Sequence, residues 1–214
     1  ETARVMNIDI GGGTTKIAVC ENGELVDLTA VDIGARIVAL DAQGRLVRLE
    51  EAGRKFAEEV GVTLQLGQPV AQEDLTRMVD RMADRIFEVA GTSHPDSISQ
   101  SLLRLEPLRA LKMPDVLTFS GGVSEYVYGR EAQAYGDLGP LLAAAVRRKA
   151  QAWGPRLEVP DQGIRATVIG ASQYTVQVSG STIYVEPFSI LPLRVSVTVP
   201  MRVEMMRCDV SHVK

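Results

Sequence analysis

Three consecutive glycines, Gly11, Gly12 and Gly13, stand between two apolar runs in MNIDIGGGTTKIAVC, residues 6–20. Glycine costs backbone entropy and packs nothing; inside a strand it marks a bend or a place where something approaches the main chain closely. A hairpin turn needs one or two glycines. Three in a row, followed by Thr14, Thr15 and Lys16, ask for a ligand near the backbone. Such a turn can aim successive N–H groups at an anion, with the hydroxyls of Thr14 and Thr15 as further donors. Asp9, at the end of the first run, suits a hydrated magnesium ion better than the phosphate itself. The plain alternative is a flexible turn without a ligand. Two familiar phosphate signatures fail here. A P-loop needs G-x-x-x-x-G-K-[ST] ahead of a helix, and a strand pattern follows Lys16. The dinucleotide fingerprint would need its third glycine where Lys16 stands.

A second glycine turn follows another apolar run in DVLTFSGGVSEYVYG, residues 115–129. Without Cβ atoms at Gly121 and Gly122, a flat ring or a ribose could lie against the backbone beside Val123 and Ser124. The plain alternative is an ordinary strand-to-helix connection.

Around these turns the chain reads as an α/β domain. Strands are predicted over residues 4–9, 15–20, 24–32, 35–41 and 46–49, in hairpin order. Helices are predicted over 51–60 and, more strongly, 72–90, where Leu75, Met78, Val79, Met82, Ile86, Val89 and Ala90 share one face. An alanine-rich helix is expected over 138–153, and strands over 182–185 and 193–203; residues 164–180 read as helix or strand, with a helix over 164–176 preferred.

Composition narrows the function classes. The 214 residues are 45% hydrophobic and 23% charged, with a net charge of -4, an ordinary soluble globular balance. A mildly acidic chain argues against nucleic-acid and anionic-membrane partners. No window approaches the ~18 apolar residues needed to span a bilayer. Cys20 and Cys208 lie far apart without metal spacing and read as free thiols of a reducing cytosol. With His94 and His212 as the only histidines, a His-based metal centre or a Ser-His-Asp triad is not expected. The chain opens at Glu1 and enters a strand within a few residues, which reads as a segment of something longer. Arg147, Arg148 and Lys149 read as solvated helix-end charge, Trp153 as helix-end packing, and Tyr126 and Tyr128 as packing. Met205 and Met206 read as a buried strand or a tail.

The pair of turns resembles the actin, sugar-kinase and heat-shock chaperone superfamily of two-domain ATPases. DIGGGTTK is similar to its second phosphate motif and FSGGVSE to its adenosine motif. Within that superfamily, NIDIGGGTTKIAVCENGEL, AVDIGARIVALDAQGRL, LTFSGGVSEYVYG, DLGPLLAAAVR and IRATVIGASQYTVQVSGSTIYV together resemble the ethanolamine ammonia-lyase reactivating factors, the EutA family. The likeness runs from about residue 4 to 194 and weakens beyond it.

The resemblance implies an actin-like (ribonuclease H-like) ATPase domain with a mixed sheet, opening with β-hairpins and flanked by helices. Residues 1–194 would be the second, nucleotide-binding domain and 195–214 a strand or tail, with the first ATPase domain absent from this chain. It implies ATP and Mg2+ as cofactors and ethanolamine ammonia-lyase as the partner. The factor would act as a chaperone of ethanolamine utilization, releasing damaged cobalamin so that intact adenosylcobalamin can enter. Carried over residue by residue, Asp9 serves magnesium through water, Gly11, Gly12, Gly13, Thr14 and Thr15 cradle phosphate, and Gly121, Gly122, Val123 and Ser124 receive adenosine. Lys16 either reaches a phosphate or points to solvent, and polar residues of the 72–90 helix flank the adenine. No catalytic base is nominated, and the isolated half is expected to hydrolyse ATP poorly. A cytoplasmic protein associated with the ethanolamine bacterial microcompartment is implied, with homo-oligomerisation left open. The rival readings are a small-molecule, sugar-type kinase of the same superfamily, an actin-like scaffold, and a domain that has lost nucleotide binding.

Overall fold

Apolar residues at every second position make the first strands, β1 (Arg4–Ile10) and β2 (Thr15–Glu21), two-faced. A third strand, β3 (Glu24–Val31), follows the dipeptide Asn22-Gly23, whose φ values of 55° and 79° give the type I′ turn that matches strand twist. The computed structural model describes residues 3–91, 94–109 and 112–160. Beyond β3 lie the short strands β4 (Val38–Leu40) and β5 (Leu46–Leu49) and the helices α1 (Glu51–Glu59), α2 (Gln72–Gly91) and α3 (Ser97–Leu102). Then come β6 (Val116–Ser120), α4 (Gly122–Val127), α5 (Gly139–Trp153) and β7 (Arg156–Leu157).

The main sheet is mixed, in the order β3-β2-β1-β6-β7. The first three strands form an antiparallel meander, while β6 runs parallel to β1 and β7 parallel to β6. One face carries Met6, Ile8, Ile10, Ile17, Val19, Leu117 and Phe119 into a core shared with Met78, Met82 and Ile86 of α2 and Leu142 and Val146 of α5. Each such side chain, fully buried, contributes about 1.5–3 kcal/mol. The other face of β1 and β6 is polar at its carboxyl end, with Asn7, Asp9, Thr118 and Ser120 in adjacent register. Asp9 stands opposite Ser120, so both glycine turns leave the same end of neighbouring parallel strands. That end is where ligands bind in open α/β sheets.

The α/β class, the hairpin opening and the two long helices stand as the sequence predicts. The strand predicted over 35–41 shrinks to β4, because the N–H groups of Ala35 and Arg36 turn away to the Gly11 and Gly12 carbonyls, at 3.0 and 2.6 Å. The second glycine turn leads straight into a helix, α4, which starts at Gly122, the strand-to-helix connection held above as the plain alternative. Neither α3 nor β7 was predicted; both are too short for periodicity to show. Cys20 is disulfide-bonded, which corrects its reading as a free thiol. The helix predicted over 164–176, the strands over 182–185 and 193–203, the proposed boundary at 194, Cys208, His212 and the Met205-Met206 pair lie outside the described residues. Among the described residues, no helix is long and apolar enough to cross a membrane.

Candidate functional site

The first glycine turn is four residues, 11–14, closed by Gly11 N–H donating to the Thr14 carbonyl at 3.0 Å, with Ile10 and Thr15 facing each other at its base. Its carbonyls at Gly11 and Gly12 point inward, each accepting from the 35–36 segment beneath. Among the described residues, the N–H groups of Gly12, Gly13 and Thr14 donate to no protein acceptor. None of the three glycines has the positive φ that would require glycine. A Cβ on Gly13 would meet no described atom within 4 Å, and one on Gly12 would meet only the flexible Arg36 side chain, at 3.3 Å. The fold therefore does not demand glycine at 12 or 13. Gly34, unnoticed in the sequence, is the reverse case: its Cβ would lie 2.5 Å from the carbonyl carbon and oxygen of Gly12 and from the nitrogen of Gly13. Gly34 is the floor on which the turn rests.

Below the turn, Asp9 is only 2% exposed. Its Oδ2 accepts from Ser120 Oγ at 2.9 Å, and its Oδ1 lies 3.5 Å from Lys16 Nζ. Asn7 Nδ2 donates to Ser120 Oγ at 3.0 Å, and Thr118 Oγ1 donates to Asn7 Oδ1 at 2.9 Å, so a polar ladder joins β1 to β6. Lys16 thus lies along the sheet face against Asp9, with its side chain 16% exposed, rather than reaching into solvent. Thr15 is buried, and its hydroxyl donates to the Ile33 carbonyl at 2.7 Å, so that hydrogen is not available to a phosphate. Thr14 remains partly exposed at the turn. Among the described residues, no group of three or more His, Cys, Asp or Glu gathers as a chelating cluster.

The second turn packs on the first strand. Gly121 has φ 80°, and its Cβ would fall 2.5 Å from the Ile10 carbonyl oxygen, so glycine is obligatory there. Ser124 Oγ donates to the Gly121 carbonyl at 2.7 Å, and both Val123 and Ser124 are buried. A Cβ on Gly122, by contrast, would meet no described atom within 4 Å outside its own helix. A ligand would meet this turn through the backbone at Gly121 and Gly122, and not through the side chains of Val123 and Ser124.

Two curated relatives align with most of the chain. The ethanolamine ammonia-lyase reactivase EutA of Salmonella typhimurium is 38% identical over 193 residues, which is 89% of this chain and 41% of that protein. The reactivase of the same name from Escherichia coli is 36% identical over 194 residues, with the same coverage. The chain therefore spans about two fifths of the length of these relatives. The family model described as ethanolamine utilisation protein EutA matches residues 1–211. The chain belongs to the EutA family.

In this EutA-family chain the remaining sequence features resolve as follows. Of the polar residues of α2, Arg81 pairs with Glu59 of α1, while Asp80 and Asp84 pair with Arg148 and Lys149 of α5. These pairs tie helices together, and they account for two of the three basic residues at the end of α5. Trp153 packs edge-on against Phe87 of α2 at 5.4 Å between ring centres. Tyr128 accepts from Phe119 N–H at 2.7 Å and donates to the Glu158 carbonyl at 2.8 Å; burial pushes its phenol up to about 12. The Tyr126 hydroxyl donates to the Gln133 carbonyl at 2.7 Å, and burial, followed by Asp137 and Glu131, raises its pKa. Both tyrosines are structural, as their positions in the sequence suggested.

One functional candidate gave no signal in the sequence. Arg36 runs alongside Gly12 and places its Nε 3.3 Å from Asp137 Oδ2, ahead of α5. Only the long-range path of the 33–36 segment under the turn brings it there, so no local pattern could reveal it.

Proposed function

We propose that this chain is the nucleotide-binding half of an ATP- and magnesium-dependent reactivating factor for ethanolamine ammonia-lyase. The observation that carries the proposal is the turn at 11–14, whose N–H groups at Gly12, Gly13 and Thr14 are unused among the described residues, at two glycines the fold itself does not require. Backbone amides of this kind form anion-binding concavities, and the missing side chains let phosphate oxygens reach them. The second turn, beside the first at the carboxyl end of the sheet, would take the adenosine along the Gly121–Gly122 backbone. Asp9 would hold the water shell of magnesium.

Two further lines support this reading. The curated relatives carry the name ethanolamine ammonia-lyase reactivase. The sheet order, an antiparallel meander of three strands continued by parallel strands on the far side of β1, supports an actin-like domain within residues 1–194. In that architecture the first ATPase-type domain completes the cleft and shares the hydrolytic duty. ATP can drive release of damaged cobalamin only if the nucleotide states bind the lyase with different affinities. Closure of two domains on the nucleotide is the bistable element that would supply the difference.

The test is recovery of ethanolamine deamination by lyase inactivated with cyanocobalamin, given magnesium-ATP and fresh adenosylcobalamin. A protein that joins this chain to a first ATPase-type domain is expected to restore turnover, and the chain alone to do so poorly. Failure of the joined protein despite measured ATP binding would remove the reactivating role.

A further inference from the structure

We propose that Arg36 is the cation that holds the nucleotide's phosphates at the 11–14 turn, with Asp137 as the partner its guanidinium leaves when the ligand arrives. The proposal rests on the phosphate reading given above and adds the residue that balances the charge.

A polyphosphate brings several negative charges to this end of the sheet, where the carboxylate of Asp9 already lies. Lys16 does not offset them alone, because its ammonium lies against Asp9 and its side chain is 16% exposed. Arg36 is placed to do so. Its N–H donates to the Gly12 carbonyl at 2.6 Å, so the residue is fixed to the turn itself. Its Cβ, Cγ and Cδ run along Gly12, 3.5, 3.6 and 3.3 Å from where a Cβ would stand. The side chain is 63% exposed, and its Nε meets Asp137 Oδ2 at 3.3 Å. Among the described residues, its two terminal nitrogens make no hydrogen bond. These are the donors that form a two-pronged contact with phosphate.

Asp137 is the fixed member of the pair. Its Oδ1 accepts from Gly139 N–H at 2.9 Å at the start of α5, and its side chain is only 12% exposed. The guanidinium end of the pair is exposed and makes a single contact, so Arg36 can exchange Asp137 for a phosphate oxygen, a charge-assisted contact of the same kind. Arg36 would thus rotate from the carboxylate to the ligand while its backbone stays on Gly12.

Binding of magnesium-ATP, inorganic tripolyphosphate and adenosine to this chain, its Arg36→Gln and Arg36→Lys variants and Asp137→Asn tests the proposal. Arg36→Gln is expected to lose about tenfold in affinity for both phosphate ligands, the scale of one charged hydrogen-bond contact. Its adenosine affinity and thermal midpoint are expected to stay unchanged, and Arg36→Lys to recover part of the loss. Asp137→Asn, which keeps the Oδ1 acceptor for Gly139, is expected to bind magnesium-ATP at least as tightly as the unaltered chain. If the unaltered chain binds all three ligands and Arg36→Gln matches it, the role of Arg36 falls while the phosphate reading stands. An equal loss for adenosine would make Arg36 a structural residue and overturn the proposal as well. If neither the unaltered chain nor the protein that joins it to a first ATPase-type domain binds either phosphate ligand, the phosphate reading itself fails, and this inference with it.

Discussion

Gly34→Ala is the substitution that bears most directly on how the turn is built. The added Cβ would sit 2.5 Å from three backbone atoms of Gly12 and Gly13, so the two segments must part by roughly 0.9 Å to reach ordinary contact at 3.4 Å. Overpacking against backbone costs about 1–3 kcal/mol. Parting also strains the Ala35 N–Gly11 O and Arg36 N–Gly12 O hydrogen bonds, each worth ~0.5–1.5 kcal/mol. Against this, alanine removes unfolded-state freedom, a gain of about 0.4–1 kcal/mol. The net expectation is a loss of about 1–3 kcal/mol, which lowers the thermal midpoint by roughly 2–10 °C for a chain of this size. Gly13→Ala is the matched control. Its Cβ meets no described atom within 4 Å and its φ is not positive, so stability should hold or rise by up to ~1 kcal/mol. Its magnesium-ATP affinity should nevertheless fall, because the methyl occupies the ligand's path. Scanning calorimetry and titration on the same samples would read both quantities. A thermal midpoint for Gly34→Ala equal to that of the unaltered chain would refute the close approach. A destabilised Gly13→Ala would refute the claim that the fold leaves that position open.

Three further outcomes follow from the core. Arg85, 1% exposed, faces Glu59, Glu88, Asp96 and Ser99 where α1, α2 and α3 meet. Arg85→Met should cost about 3–5 kcal/mol in urea denaturation, because it leaves the carboxylates facing one another without their cation. The Arg85 hydrogen bond, followed by the Ser99 N–H, holds the Asp96 carboxyl down to about 2 from its usual 3.8. The folded value lies below the unfolded one, so this contribution is complete above about pH 5 and lost as pH falls towards 2; Asp96→Asn should flatten that limb of the stability profile. Tyr128→Phe removes the acceptor of Phe119 N–H and the donor to Glu158. It should lower the urea midpoint by the equivalent of about 1–3 kcal/mol with an unchanged slope.

Much of the frame was legible because it rests on local periodicity. The alternation in β1 and β2, the Asn22-Gly23 turn and the apolar stripe of α2 each specify their element within a few residues. The glycine run at 11–13 was legible as an anomaly, since nothing in a hairpin asks for it. What escaped was everything set by contacts across the fold. Ala35 and Arg36 look like strand residues until the carbonyls of Gly11 and Gly12, more than twenty positions earlier, draw their N–H groups away. Gly34 and Arg36 matter only because that segment runs beneath the turn. Thr15 reads as a free hydroxyl until Ile33 arrives beside it, and Lys16 as reaching either a phosphate or solvent until its cross-strand partner proves to be Asp9. The helix α4 was hidden by its six residues, two of them valine, which score as strand.

The central claim is that the amides of the 11–14 turn bind the phosphates of a nucleotide. Titrating isotope-labelled chain with magnesium-ATP and following its backbone amide resonances tests this residue by residue. The account expects the amides of Gly12, Gly13 and Thr14 to shift together and saturate on one binding curve, with tripolyphosphate moving the same three. If those amides stay still at millimolar magnesium-ATP, or shifts saturate elsewhere while the turn is unmoved, the phosphate assignment is wrong.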